Sequence, residues 1–370
     1  MKILCVIDSL CFGGAQRQLV ELAFAFKEKG HFVTFLTYHH IPFFNSEVEQ
    51  QGIQISCIEE PNYIRRLFKM RRFIRRGNYH AVLSFLEGAN FISEFAGFPY
   101  RSWKLVVGER SANPKILKSL KLIFYRWFHF FANYIVANSN SNMYLVRSVN
   151  PLLPGSKCQI IYNTVDFSRF KPLKNFVFWQ ENKLSLVIAA RIQYEKNFTG
   201  LMEALLLLDK DELSKLKIDW YGEYNHQPNA NALLVKSLNQ LRRNGFGNII
   251  TFHKATHEIR SIIQESDAVG LFSFYEGFPN IICEAMACEK PVICTKVSDV
   301  SNFLSHEPNL LCDPANPHSI KESLRYLIQL NRKQLKEIGI KNRIIALERF
   351  EKETIVSDYL RLLGEKIHNN

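Results

Sequence analysis

Short, unbroken apolar runs separated by amphipathic stretches recur along the whole chain, and this rhythm constrains the fold more than any other feature. In the first half the runs are KILCVID (2–8), HFVTFLT (31–37), IQISCI (53–58), AVLSFL (81–86), KLVVG (104–108) and YIVANS (134–139). In the second they are LSLVIAA (184–190), KIDWYG (217–222), IITFH (249–253), AVGLFSF (268–274), PVICT (291–295) and NLLCD (309–313). Runs that do not alternate with polar residues fit strands buried on both faces. A parallel sheet wrapped by helices is therefore expected, twice over. The length agrees, since 370 residues exceed what one ordinary core holds. The expected division is an N-terminal doubly wound domain (1–175), a second such domain (176–350) and a terminal helix (351–370) able to pack back on the first. The join is placed in the polar, Pro-containing segment FKPLKNFVFWQENK (170–183).

In doubly wound sheets a ligand sits beyond the carboxyl ends of the strands, so the loops after the apolar runs carry the candidate chemistry. After the first run, Gly13-Gly14 opens an amphipathic segment, where close backbone approach and free helix N–H groups suit a phosphate; an ordinary Gly-rich turn is the alternative. After LSLVIAA come Arg191 and Lys196, a bidentate donor and a point charge that together suit a pyrophosphate; as the alternative, both are solvated loop cations. After AVGLFSF comes EGFPNIICE, with Glu276 and Glu284 eight positions apart and Gly277, Phe278, Pro279 and Asn280 between them. Pro279 fits the first turn of a helix, which leaves Glu276 in the loop and Glu284 among apolar neighbours. A carboxylate there needs a partner, and a pair of sugar hydroxyls is a natural one. No His or Asp stands nearby to complete a metal site, and Asp209-Lys210-Asp211 is expected to be a solvated helix end.

These residues resemble the E-x7-E element of the family-4 retaining glycosyltransferases, whose two Rossmann-like domains face a central cleft in the GT-B arrangement. The resemblance runs from Gly13-Gly14 through ANSNS (137–141), YNTVDFSRF (162–170) and Arg191/Lys196 to EGFPNIICEA and KPVICT. It implies an enzyme that moves a sugar from a nucleotide donor, held mainly by the C-terminal domain, to an acceptor held mainly by the N-terminal one. By the same resemblance Arg191 and Lys196 neutralise the leaving diphosphate, Glu284 holds the ribose hydroxyls and Glu276 contacts the donor sugar. Backbone N–H groups of Gly277 to Asn280 reach the sugar, and those of Gly13-Gly14 the phosphate. No metal or other cofactor is expected, because fixed cations and helix N-termini stabilise the developing charge. Many relatives place a His in the N-terminal domain, where this chain has Glu109 and Arg110, expected to act as acceptor or sugar contacts. Glu289 stands where a helix-ending Gly is common, and TKVSDVSNFLSHEP lacks the family's Gly-rich loop and its Glu.

Charge is unevenly placed. Residues 1–180 carry 23 Lys+Arg against 11 Asp+Glu (23 − 11 = +12), whereas residues 181–370 carry 24 of each. The segment YIRRLFKMRRFIRRGNYH (63–80) sets Arg65, Lys69, Arg72 and Arg76 along one helical stripe and Leu67, Met70 and Ile74 along another. KILKSLKLIFYRWFHFFANY (115–134) joins further cations to a dense aromatic run. Basic-aromatic helices of this kind suit an anionic lipid surface, with solvated faces and core aromatics as the plainer alternative. The expected location is cytoplasmic and peripheral at the inner face of the membrane, with a lipid-diphosphate-linked glycan as acceptor in surface polysaccharide synthesis. MKILCVIDSL is interrupted by Asp8 and lacks a signal peptide's apolar length; the eight scattered cysteines form no CxxC pair and read as reduced. Nucleic acid is disfavoured for want of any recognition motif, and a NAD-dependent dehydrogenase for want of GxGxxG. A nucleotide-sugar epimerase of similar build and a non-catalytic sugar-nucleotide-binding subunit stand as rivals.

Overall fold

In the computed structural model, residues 1–178, 183–223 and 228–365 are described. The chain divides into two compact units, Met1–Thr164 with Lys352–Asn370, and Val165–Glu351. It therefore passes between them at Thr164/Val165 and again at Glu351/Lys352, ahead of the 170–183 segment drawn as the join, whose residues 179–182 lie outside the described residues.

In the first unit seven strands, β1 (Lys2–Val6), β2 (Phe32–Thr37), β3 (Gln54–Cys57), β4 (Ala81–Phe85), β5 (Lys104–Glu109), β6 (Tyr134–Ala137) and β7 (Cys158–Ile160), form one sheet in the order β3-β2-β1-β4-β5-β6-β7. Every neighbouring pair is parallel. All six expected runs are strands; β7 is an addition, a three-residue edge strand too short and too exposed to leave an apolar run. The core gathers Ile3, Cys5, Phe26, Phe85 and Val106, with Val356, Tyr359 and Leu360 of the terminal helix Lys352–Leu363 packed into it.

In the second unit β8 (Leu184–Ala189), β9 (Leu216–Tyr221), β10 (Ile250–His253), β11 (Ala268–Leu271), β12 (Val292–Thr295) and β13 (Leu311–Cys312) pair in parallel in the order β10-β9-β8-β11-β12-β13. Leu186, Ile188, Trp220, Phe272 and Leu324 stand in its core. Helices begin where polar caps stand ready, since Asn62, Ser119, Ser139, Asn197, Asp209 and Asn331 each accept a first-turn N–H. Asp209 belongs to a capping box with Glu212, and Asp211 pairs with Lys215 at 2.7 Å, which is the helix end expected of that D-x-D. The cysteines are free; five are buried and Cys57 is exposed.

Candidate functional site

The sheet order of the second unit reverses between β8 and β11, so the loops leaving those strands diverge and open a crevice. The apolar runs AVGLFSF and LSLVIAA outlast their strands; Phe272 and Ser273 stay buried, and past the strands partial exposure begins at Phe274 and at Ala190. The two loops are tied together. Phe274 N–H donates to the Glu195 carbonyl at 2.8 Å, and the Tyr194 and Phe274 rings stack 5.1 Å apart. Gly222 allows a further close approach, since a Cβ there would lie 2.0 Å from the Ala190 carbonyl oxygen.

Lys196 ends a 3-10 turn, Tyr194–Lys196, and Asn197 follows at φ 52° and caps the helix Phe198–Leu206. That geometry aims the lysine across the crevice, where Nζ meets Glu276 Oε1 at 2.6 Å. Ser273 Oγ donates to the same oxygen at 2.7 Å, and Thr295 Oγ1 fixes the Ser273 carbonyl at 2.7 Å. Both partners are mostly shielded, at 19% and 14% side-chain exposure, so their attraction is less screened than a surface pair's. Arg191 is exposed at the mouth of the same loop.

Glu276 stands in the loop and Glu284 in the helix Asn280–Ala287, 4% exposed, as the sequence suggests. Pro279 is the residue before the first turn rather than inside it, and the N–H groups that follow it open the helix beside Gly277. Ser298 Oγ donates to the Gly277 carbonyl at 2.9 Å, so the TKVSDVSNFLSHEP segment braces this loop. The Phe278 side chain is turned away into the core against Phe303 and Phe350. Glu289 adopts φ 57°, the left-handed turn that a Gly would favour, and a Cβ on Gly339 would lie 2.0 Å from its carbonyl oxygen.

In the first unit Gly13 caps the helix Gly14–Glu28 with extended backbone, φ −175°, which any residue can adopt. Glu109, expected as an acceptor or sugar contact, is buried. It ends β5 at 1% exposure, its carboxylate 2.5 Å from Arg126 and 3.2 Å from His129, whose other nitrogen lies 2.7 Å from Glu94. Burial alone would raise Glu109, but Arg126 and His129 outweigh it and hold the carboxyl at about 2. Burial opposes charge on His129 too, yet Glu94 and Glu109 raise it to about 9. This acid-base cluster is buried, its charges meeting one another within the unit. Arg110 packs over the Phe85 ring at 3.7 Å and donates to Asn163 and to the Tyr359 hydroxyl.

On the helix Tyr63–Arg76, Arg65, Lys69, Arg72 and Arg76 are exposed or half-exposed while Met70 and Ile74 are buried, matching the two stripes. The other cations have partners within the unit, though Arg75 is itself exposed. Arg71 and Arg75 cap the carbonyls of Phe95, Ala96 and Tyr100, and Arg66 lies over the Tyr38 and Tyr63 rings. No helix among the described residues is long and apolar enough to cross a membrane.

Two family models match consecutive stretches of the chain: Glycosyltransferase Family 4 over residues 12–169 and Glycosyl transferases group 1 over residues 170–343. The chain belongs to the family-4 glycosyltransferases, enzymes of the GT-B fold, and is a transferase of that kind. It is 23% identical, over 99% of each chain, to the Campylobacter jejuni GalNAc-alpha-(1->4)-GalNAc-alpha-(1->3)-diNAcBac-PP-undecaprenol alpha-1,4-N-acetyl-D-galactosaminyltransferase. It is 26% identical, over 89% of this chain and 90% of the other, to that organism's N-acetylgalactosamine-N,N'-diacetylbacillosaminyl-diphospho-undecaprenol 4-alpha-N-acetylgalactosaminyltransferase. Anabaena Alr3699/HepE, crystallised with UDP and glucose, superposes with a TM-score of 0.83 at 20% identity over 98% of this chain and 99% of the other.

Proposed function

We propose that this enzyme transfers a hexose-type residue from a nucleoside-diphosphate sugar to a lipid-diphosphate-linked glycan during surface polysaccharide synthesis. The observation that carries the reading is the Lys196–Glu276 pair at the switch point of the second sheet, with Arg191 at its mouth. As the bond from the sugar's anomeric carbon to the diphosphate breaks, negative charge collects on the departing phosphate, and Lys196 and Arg191 neutralise it. The acceptor hydroxyl forms the new bond to that carbon and its proton leaves with the diphosphate. Configuration is retained, the course usual in this family. Glu276 holds the donor sugar, Glu284 the ribose hydroxyls, and backbone N–H groups of Gly277 to Asn280 the remaining sugar oxygens. The reading needs no metal ion, since two fixed cations and a helix N-terminus meet the charge.

The acceptor class follows from the Campylobacter relatives, both named for undecaprenol-diphosphate-linked glycans. Such an acceptor is presented at a membrane, and the first unit carries a surface suited to one. Phe68 packs on Phe95 and Phe124 on Phe91, yet they are 57% and 53% exposed, beside Ile64 at 64% and Leu120 at 84%. With Arg65, Lys69, Arg72 and Arg76 on the helix that carries Phe68, this makes a basic-apolar face for peripheral docking on the inner leaflet.

A thermal-shift series with UDP, GDP, ADP, CMP and their sugar conjugates tests the donor assignment, because a ligand that binds only the folded state raises the melting temperature. One nucleoside diphosphate is expected to shift it, with the shift lost in Arg191→Ala and Glu284→Ala. A shift that survives both substitutions contradicts the assignment. Turnover of the donor without any acceptor sugar, yielding an epimer, favours the epimerase; no turnover with any acceptor favours a binding subunit.

A further inference from the structure

The first sheet also reverses, between β1 and β4, and its second switch-point loop is Leu86-Glu87-Gly88. Leu86 stands at φ 76°, ψ 150°, a region that glycine alone occupies without strain, at a cost of order 1–3 kcal/mol. The following residue, Glu87, opens the helix Glu87–Gly97 and borders a cavity of 310 Å³. Gly88 keeps this side open, for a Cβ on it would fall 2.7 Å from the Tyr38 hydroxyl.

The cavity's other walls are aromatic and cationic. The Tyr63 and Tyr125 hydroxyls share a hydrogen bond of 2.8 Å, Arg66 lies over Tyr38 and Tyr63, and Lys121 lies 5.9 and 5.6 Å from the Tyr63 and Tyr125 ring centres. Beneath it the buried Arg126 bridges two carboxylates unequally, Glu109 at 2.5 Å and Glu87 at 3.6 Å. Glu109 is engaged on both oxygens, by Arg126 and His129, whereas the Glu87 side chain keeps 25% exposure toward the cavity. Burial first, and the charge of Glu109 next, raise the Glu87 carboxyl above its ordinary value, as for a group short of stabilising partners.

We propose that this cavity is the subsite for a sugar ring of the acceptor glycan, with the Glu87 carboxyl accepting a hydrogen bond from one of its hydroxyls. The inference rests on the transferase reading above and assigns the acceptor side of it. The volume lies at the small end of ligand pockets, which suits one pyranose and not a nucleotide sugar. Phenol rings offer flat faces to the ring's C–H groups, the carboxyl an oriented acceptor, and Arg66 and Lys121 donors to ring or substituent oxygens. Strain at Leu86 fixes where Glu87 points.

The test is isothermal titration of wild type, Glu87→Gln and Lys121→Ala with four p-nitrophenyl α-glycosides (glucose, galactose, N-acetylglucosamine and N-acetylgalactosamine) in saturating UDP. At least one glycoside binds the wild type, Glu87→Gln weakens it about tenfold or more, and Lys121→Ala, an exposed change that spares the fold, weakens it severalfold. No binding to wild type, or equal affinity in both variants, overturns the proposal. UDP affinity is read separately: its absence in wild type overturns the donor assignment and leaves the glycoside result standing. Loss of UDP and glycoside together in Glu87→Gln, with Lys121→Ala unchanged, makes Glu87 a structural residue and also overturns it.

Discussion

Lys196 Nζ lies 2.6 Å from Glu276 Oε1, so the cation assigned to the donor diphosphate is already held by the carboxylate assigned to the donor sugar. The two residues stand 80 positions apart in sequence, on loops that follow strands adjacent in the sheet. Residues that act as a unit are not additive. Lys196→Ala is expected to lose roughly 10²-fold in kcat/KM, and adding Glu276→Ala should cost much less than Glu276→Ala costs alone. Steady-state kinetics of the four forms measures this, and fully additive losses would assign the two residues independent roles.

The Glu94–His129–Glu109–Arg126 cluster makes the stability of the first unit depend on pH. His129 is raised from 6.5 to about 9, so its contribution is complete below 6.5 and fades as pH rises toward 9. Glu109 is depressed from 4.5 to about 2, so its contribution is complete above 4.5 and fades as pH falls toward 2. Glu94 and Glu87, both raised with burial as the leading cause, add to the decline above 4.5. Melting temperature should therefore peak on the mildly acidic side of neutrality, and His129→Gln should lower it while flattening the limb between 6.5 and 9. An unchanged alkaline limb in that variant would show that the titration lies elsewhere.

Gly339 lies where the helix Arg332–Phe350 crosses the left-handed turn at Glu289. A methyl group there meets backbone, not a flexible side chain. Gly339→Ala is expected to destabilise the second unit by about 2 kcal/mol or more despite the higher helix propensity of Ala. Urea denaturation gives the comparison, and a stabilised variant would contradict the packing.

Membrane docking should need both halves of its surface. Removing the charges of Arg65, Lys69, Arg72 and Arg76 is expected to abolish flotation with anionic vesicles, at about 1 kcal/mol per cation, and Phe124→Ser with Leu120→Ser to weaken it at any salt concentration. Lys69 already pairs with Glu60 at 2.6 Å and should contribute least. Equal recovery of wild type and the four-charge variant would end the idea.

The apolar runs marked twelve of the thirteen strands among the described residues and their parallel character, because a strand covered on both faces must be apolar at every position, and that leaves an unbroken trace in sequence. The loops after β8 and β11 were legible for a related reason: topology puts ligands there whatever the residues. The positions of Arg191, Lys196 and Glu276 in those loops and of Glu284 in the helix that follows could thus be read from sequence, though not the salt bridge between two of them. The burial of Glu109 was not legible, because strand ends and loop starts look alike in sequence and its partners Arg126 and His129 are far from it along the chain. Glu87, Tyr63, Tyr125 and Arg126 were invisible as a group, since no spacing links them. Local patterning, then, determined the strands, the helix caps and the position of the loops, all of which depend on neighbours within a few residues. Only the tertiary structure decided which charges meet, which are buried together and which carboxylate is left facing a cavity, because those energies depend on distance and burial between residues that the sequence keeps far apart.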